Sequence, residues 1–292
     1  MKRKFLICAN MVVIALFIIV ANLDNKKYAK LDEKDYAKVF NQELTGNLTN
    51  QVNFIEDIVL NDNKEMCSWG IRRNTDHKTP FADNGVDELL GKYNSYYLGD
   101  TTKNKIYLTF DEGYENGFTG SILDTLKAKN VKAVFFITGP YLKDHKELVE
   151  RMVKEGHSVG NHTVNHPSLP QISDDKVRNE VKELDYSFYE SFKEHMKFFR
   201  APKGEYSERT LKITNEMGYV NLFWSLAYDD WYRDKTRGYQ YAHKIVTDNL
   251  HNGAIILLHA VSKDNAKALP YIIDTARDLG YEFGDCEKDF IK

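Results

Sequence analysis

The chain is poor in cysteine and has no surplus of basic residues. Its three cysteines are too few for a disulfide framework, and no structural disulfide is expected. The net charge of −3 leaves no basic excess for phosphate groups, so nucleic acid is not a predicted partner. Internal repeats and low-complexity segments are also absent, which excludes a repeat architecture. The composition is 42% apolar and 13% aromatic, enough to support a packed core.

The first 23 residues predict a membrane segment. Basic residues at positions 2–4 precede a mostly apolar run at residues 5–23. This run approaches the ~20 residues that span a bilayer, and it is longer than most signal-peptide cores. An uncleaved anchor is therefore favoured over a cleaved signal, for which residues 19–21 offer a poor cleavage site. Because the basic end stays cytoplasmic, the rest of the chain is expected outside the membrane.

The remaining chain divides into a polar spacer at residues 24–66 and a folded domain at residues 67–292. The first part of that domain, residues 69–100, is rich in aromatic and turn residues and is predicted to wrap around its surface. From residue 105 onward, short apolar strands alternate with helical patterns. This alternation predicts an α/β fold with a mainly parallel sheet and outer helices, either open or closed into a barrel.

Chemically active side chains stand at or just beyond the ends of the predicted strands. They are Asp111, His162, Arg200, Asp230 and His259. In parallel α/β architectures the carboxyl ends of the strands meet at one edge, where active sites assemble. We therefore expect these side chains to converge on one site.

Two of these segments predict a divalent metal site. His162 and His166 are four residues apart, and Pro167 disfavours helix at His166, so this segment is predicted to be a loop. Asp111 and Glu112 end a strand and point in different directions, so one can reach a metal while the other faces substrate. The alternatives are a surface histidine pair and a solvated acidic turn. The occurrence of both segments together favours metal, since catalytic zinc sites use three such ligands.

Three further residues are candidates for supporting this chemistry. Arg200 can hold a carboxylate with two hydrogen bonds and keep it ionised, and the alternative is a surface arginine. His259 ends a wholly apolar strand, where a satisfied core histidine is the alternative. Asp230 is the candidate partner of His259, because a carboxylate on one ring nitrogen fixes the tautomer and raises basicity.

Five segments in this order resemble the motifs of the polysaccharide deacetylase family, carbohydrate esterase family four. They are residues 109–113, 162–166, 200–204, 228–231 and 257–259. Further segments are similar to the delta-lactam-biosynthetic de-N-acetylases of sporulating bacteria; these are residues 96–99, 107–116, 223–227 and 258–266. The resemblance implies a distorted (β/α) barrel of about seven parallel strands with outer helices. It also implies an active site at the C-terminal strand ends.

The resemblance assigns a role to each candidate residue. It implies that Asp111 is the general base, that His259 is the general acid, and that Arg200 and Asp230 position them. The implied metal ligands are His162, His166 and Glu112, although the family usually has Asp at the last position. Zinc is the expected metal, with cobalt or another divalent ion as alternatives. The backbone N–H of Lys203 is implied to bind the oxyanion, and the aromatic candidates for the groove walls are Tyr206, Trp224 and Trp231.

The activity implied is removal of the N-acetyl group from N-acetylmuramic acid in peptidoglycan that has lost its stem peptides, a step towards muramic delta-lactam in the spore cortex. The expected partners are the glycan strand, the membrane through the N-terminal segment, and an amidase that removes stem peptides. The chain is expected to be a monomer outside the cytoplasm. Two alternatives stay open: a deacetylase of N-acetylglucosamine or chitooligosaccharides, and a non-catalytic glycan-binding relative.

Overall fold

The computed structural model describes residues 65–232 and 236–291. They belong to a compact unit that comprises residues 63–292. The predicted membrane segment lies outside the described residues, as does the predicted spacer apart from its last two positions. Within the part of the chain that the structure describes, no helix is both long enough and apolar enough to cross a bilayer. Cys67 and Cys286 are free thiols.

Ten strands and nine α-helices are found in the described residues. The strands are β1 Cys67–Ser68, β2 Ser95–Tyr96, β3 Lys105–Glu112, β4 Ala133–Ile137, β5 Ser158–Asn161, β6 Phe198–Phe199, β7 Glu205–Tyr206, β8 Val220–Leu222, β9 Ile255–His259 and β10 Glu282–Phe283. The helices are α1 Val86–Lys92, α2 Thr119–Ala128, α3 Gly139–Asp144, α4 Lys146–Lys154, α5 Asp174–Phe192, α6 Glu208–Glu216, α7 Tyr239–Thr247, α8 Lys263–Asp278 and α9 Cys286–Phe290. Two 3₁₀ turns lie at Leu169–Gln171 and Pro202–Gly204.

Eight of these strands form one parallel sheet that curls on itself. Its order is β10-β3-β4-β5-β6-β8-β2, with β9 also paired to β3. The chain just after β8 returns to β9 through a parallel bridge between Leu226 and Ile256. The sheet thus bends into a distorted barrel with helices around it. The predicted α/β fold with parallel strands and outer helices is confirmed.

Alternation along β3 sorts its side chains between the two layers of the core. Successive residues of a strand point to opposite faces. Tyr107 lies in the inner cluster with residues of β4, β6, β8 and α9. Ile106, Leu108 and Phe110 lie in the larger cluster between the sheet and the helices. Because both faces are buried, the strand is almost continuously apolar until Asp111, which shares the inward parity of Tyr107.

Helix α5 shows how the outer layer supports the site. Its buried residues, Val177, Val181, Leu184 and Phe188, recur at helical spacing and pack towards the sheet. The carbonyl of Val181 accepts a hydrogen bond of 2.9 Å from the side chain of Asn161, which ends β5. This contact ties the end of β5 to the helix layer just before the loop that carries His162.

The N-terminal part of the domain is more deeply built into the fold than the expected surface wrap. Ser95–Tyr96 forms strand β2 in the main sheet, parallel to β8. Trp69 is buried, and its ring packs against Tyr97 and Phe223 at centroid distances of 5.0 and 4.8 Å. Most of residues 69–100 still lies on the surface, with Phe81 57% exposed, so this segment is a surface segment anchored in the core by a few buried rings.

Candidate active site

A cavity of about 940 Å³ opens at the carboxyl ends of the central strands. Of the candidate residues, those that line it are Asp111, His162, His166, Lys203, Trp224, Trp231 and His259. Val164, Pro140, Leu257 and Val261 add apolar wall. The cavity therefore combines a few convergent polar groups with apolar surface, as ligand sites usually do.

A buried ion pair holds Asp111 at one side of the cavity. Nη1 of Arg200 lies 2.8 Å from Oδ1 of Asp111, and the guanidinium also donates to the carbonyl of Leu222 at 2.7 Å. Its plane packs over the ring of Phe136, 4.1 Å from the centroid. Burial alone favours the neutral acid, but the charge of Arg200 outweighs it and lowers the pKa of Asp111. The carboxylate stays ionised, with Oδ2 not held by the guanidinium.

The two histidines stand on a strained loop after β5. Thr163 and His166 have φ values of 67° and 56°, in the left-handed region that such residues rarely adopt. Hydrogen bonds impose this shape: Thr163 N donates to the Asn161 side chain, and His166 N donates to Thr163 Oγ1, each at 2.9 Å. The predicted loop is confirmed, and strained backbone of this kind clusters at functional sites.

The rings of this loop are suited to bind a metal. Nδ1 of His162 donates to the carbonyl of Arg200 at 2.9 Å, which leaves the Nε2 lone pair facing Asp111 Oδ2 at 3.5 Å. His166 is next to it, with ring centroids 4.8 Å apart. Burial and the neighbouring His162 lower the pKa of His166 to about 4, and burial lowers that of His162. Both rings are therefore neutral at physiological pH, and each can donate a nitrogen lone pair to a metal ion.

Glu112 is not brought to the histidine pair. It has the outward parity of Phe110, and its carboxyl faces the first turn of α2, where Thr119 Oγ1 lies 3.4 Å from Oε1. Burial, reinforced by the charge of Glu115, raises the pKa of Glu112 well above its usual value. Across residues 65–232 and 236–291, no three His, Cys, Asp or Glu side chains are already arranged to hold a metal ion. The donors that fit a metal here are the two imidazoles, with Asp111 beside them.

The opposite side of the cavity holds His259. Nδ1 of its ring lies 2.6 Å from Oδ1 of Asp230, and its backbone N–H donates to Oδ2 of the same carboxylate at 2.9 Å. Asn265, at the start of α8, donates to Asp230 Oδ2 at 2.5 Å and to the His259 carbonyl at 3.1 Å. Burial opposes protonation of His259, but the charge of Asp230 outweighs it and raises the pKa of the ring.

The turn at Lys203 forms part of the cavity wall. Lys203 has φ 59°, and Gly204 follows with φ 67°. A Cβ at Gly204 would lie 2.9 Å from the Trp224 ring and 3.0 Å from Trp69, so only glycine fits beneath this turn. Trp224 and Lys203 both line the cavity, and Lys203 is exposed.

The aromatic candidates for the groove do not all reach it. Trp231 lines the cavity, is 47% exposed, and its ring is 5.7 Å from that of His259. Tyr206 is 3% exposed and packs against Phe223, because β7 pairs with β1 and directs this ring into the core. The prediction that Tyr206 forms a groove wall is wrong.

Comparison with known proteins identifies the family. The family model for the polysaccharide deacetylases matches residues 98–222. An uncharacterized 30.6 kDa protein of Geobacillus stearothermophilus is 49% identical, over 74% of this chain and 82% of that protein. The peptidoglycan-N-acetylmuramic acid deacetylase PdaA of Bacillus subtilis is 41% identical, over 75% of this chain and 84% of PdaA. This chain belongs to the polysaccharide deacetylase family.

The solved structure of B. subtilis PdaA, described as a family 4 carbohydrate esterase, supports the same assignment. It superposes with a TM-score of 0.76 at 39% identity, over 77% of this deacetylase chain and 97% of the chain in that structure. One residue of the site, Asn265, is not among the candidates that the sequence motifs predicted; its side chain donates hydrogen bonds to both Asp230 and His259. The sequence offered only its place in the segment 258–266, three residues after Ser262; its burial in the first turn of α8 is seen only in the structure.

Proposed function

We propose that this deacetylase hydrolyses the N-acetyl group of N-acetylmuramic acid in peptidoglycan strands without stem peptides. The observation that carries the proposal is the pairing of Asp111 and His259 at one register of neighbouring parallel strands, β3 and β9. The first is held as an anion by Arg200, and the second is biased towards its protonated form by Asp230. The pKa of Asp111 is lowered and that of His259 is raised, which suits the first to act as a general base and the second as a general acid.

The metal belongs to the histidine side of the cavity. His162 and His166 hold a divalent cation, with zinc as the expected ion, because neutral imidazoles whose other nitrogen is hydrogen-bonded suit it. When bound, such an ion supplies Lewis acidity for the acetyl carbonyl and makes water more acidic. Glu112 completes this ligand set only after its side chain leaves Thr119 and gives up its proton. In the conformation described here the histidines act without it.

Asp111 is the general base. Its Oδ1 is occupied by Arg200, so Oδ2 accepts the proton of the attacking water on the cavity side. The ion pair keeps this carboxylate charged and fixes its orientation, and positioning of this kind is a large part of general-base catalysis. The backbone N–H of Lys203 donates to the oxyanion that develops on the acetyl oxygen.

His259 is the general acid. Asp230 binds Nδ1, so the proton to be transferred sits on Nε2. His259 delivers that proton to the sugar nitrogen as the C–N bond breaks, which releases acetate and a free amine. Trp224 and Trp231 provide flat apolar faces beside the reacting group, where a sugar ring packs.

The setting of the reaction follows from its substrate. Peptidoglycan lies outside the cytoplasm, so the catalytic domain acts there, with the N-terminal segment as its membrane attachment. An amidase that removes stem peptides supplies the substrate. The product carries a free amine beside a free carboxyl group, which is the arrangement needed for muramic delta-lactam in the spore cortex.

Mass spectrometry of glycan strands tests this proposal. Strands with and without stem peptides are incubated with the full-length chain and zinc, then digested and analysed sugar by sugar. We expect free amines on muramic acid in the stem-free strands. Free amines confined to glucosamine would contradict the proposal and favour the alternative of a glucosamine deacetylase.

A further inference from the structure

One cation of the cavity has no part in the chemistry above. Lys203 is exposed and lines the same cavity as His162 and His166, the two residues proposed to hold the metal. The two carboxylates that line the cavity are already paired, Asp111 with Arg200 and Asp229 with Arg237. Among the described residues, no ion pair is formed by Lys203.

The backbone at this position is fixed at the wall of the cavity. Lys203 is the middle residue of the turn Pro202–Gly204 and has left-handed dihedrals, φ 59° and ψ 7°. The backbone N–H of Gly204 donates to the carbonyl of Ala201 at 3.0 Å, and the backbone N–H of Trp69 donates to the carbonyl of Gly204 at 2.8 Å. These two hydrogen bonds hold the turn in place. An unpaired ammonium on an anchored turn is a preformed site for an anion.

The substrate class supplies such an anion. Muramic acid differs from glucosamine by a lactyl ether on C3, the ring carbon next to the one that bears the acetamido group. In a stem-free strand this lactyl group ends in a free carboxylate; in a strand with stem peptides it is a neutral amide. The feature that separates the two sugars is thus a negative charge close to the scissile amide.

We propose that the ammonium of Lys203 binds the free lactyl carboxylate and makes this residue a determinant of preference for stem-free muramic acid. The inference rests on the proposed function, and on the placement of one residue beside both groups. The backbone N–H of Lys203 is the proposed donor to the acetyl oxygen, and the flexible four-carbon stem of the same residue is long enough to extend to the neighbouring substituent. A charge-assisted hydrogen bond between ammonium and carboxylate then orients the sugar.

The contribution is modest because the ammonium is exposed. Exposed ion pairs are weaker than buried ones and are screened by salt. We expect loss of the charge to lower kcat/KM on the carboxylate substrate by roughly five- to tenfold, between the values for exposed pairs and for buried charged hydrogen bonds. The effect should fall mainly on KM, since the contact exists in both ground and transition states.

The test compares two substrates that differ only in this charge. One is a stem-free glycan oligomer with its lactyl carboxylate, and the other is the same oligomer with that group converted to a carboxamide. The ratio of kcat/KM between them is measured by acetate release for the full-length zinc-loaded wild type and for Lys203→Met, Lys203→Arg and Lys182→Met. Lys182 is an exposed lysine on α5 that does not line the cavity, so its variant is the matched control.

We expect the ratio to fall towards one in Lys203→Met and to persist in Lys203→Arg and Lys182→Met. Added sodium chloride should reduce the ratio in wild type and leave it unaltered in Lys203→Met. An unaltered ratio in Lys203→Met, with normal turnover by wild type, overturns this inference alone. Acetate release from glucosamine oligomers and from neither muramic substrate overturns the proposed function, and this inference falls with it.

Discussion

Breaking the buried ion pair between Arg200 and Asp111 should strongly destabilise the domain, because removal of one partner leaves the other charge buried without a counter-charge. The Arg200 side chain is fully buried, and that of Asp111 is 9% exposed. Replacing Arg200 by Met leaves the carboxylate buried without its counter-charge. It also removes the donors to the carbonyls of Leu222 and Phe223. Breaking such a pair costs about 3–5 kcal/mol, a large fraction of the ~5–15 kcal/mol that stabilises a typical domain.

The chain provides a matched control for this effect. Arg178 and Glu216 form an ion pair with the same N–O distance, 2.8 Å, but their side chains are 35% and 43% exposed. Solvent screens this pair, so Arg178→Met should lower the free energy of unfolding by less than about 1 kcal/mol. The two variants remove the same chemical group and differ in burial.

Urea unfolding followed by circular dichroism measures both losses in metal-free protein. We expect Arg200→Met to unfold at clearly lower urea than wild type and Arg178→Met to unfold close to it. The double variant Asp111→Asn with Arg200→Met should recover part of the loss, because no charge is then stranded. Equal losses in Arg200→Met and Arg178→Met would refute the reasoning from burial.

Three other variants probe the site. His162→Ala should bind zinc much more weakly, which elemental analysis after gel filtration checks, and full stoichiometry would contradict the ligand assignment. Asp230→Asn should move the alkaline limb of the kcat–pH profile to lower pH, because the charge of Asp230 raises the pKa of His259 and keeps this acid protonated to higher pH in wild type; an unmoved limb would exclude the role. Glu112→Gln should keep its fold and most of its zinc, since the neutral acid already faces Thr119; loss of zinc by this variant alone would show that Glu112 turns to the histidines.

Residue patterns predicted most of the sheet and the convergence of the site. The apolar segments that became β3, β4 and β9 are continuous because both faces are buried, and their polar ends meet at one edge. The short strands β2 and β10 were not predicted, since a strand of two residues shows no periodicity in the sequence and is defined only by its pairing with neighbouring strands.

The misplacements of Glu112 and Tyr206 have different causes. Glu112 points to the same face of β3 as Ile106, Leu108 and Phe110, because alternate residues of a strand share a face. This alternation could be read from the sequence alone. The burial of Tyr206 depends instead on the pairing of β7 with β1, a contact between residues far apart in the chain. Local patterns carry the first kind of information and lack the second.

Acetate release from stem-free glycan strands by wild type and Asp111→Asn, with zinc content measured in the same samples, tests the central claim most directly. The claim is that Asp111 takes the water proton while the histidines hold the metal. The account predicts comparable zinc in both proteins and a rate about 10²–10⁴-fold lower in the variant, the usual contribution of a general base. Near-normal acetate release by zinc-loaded Asp111→Asn would contradict it.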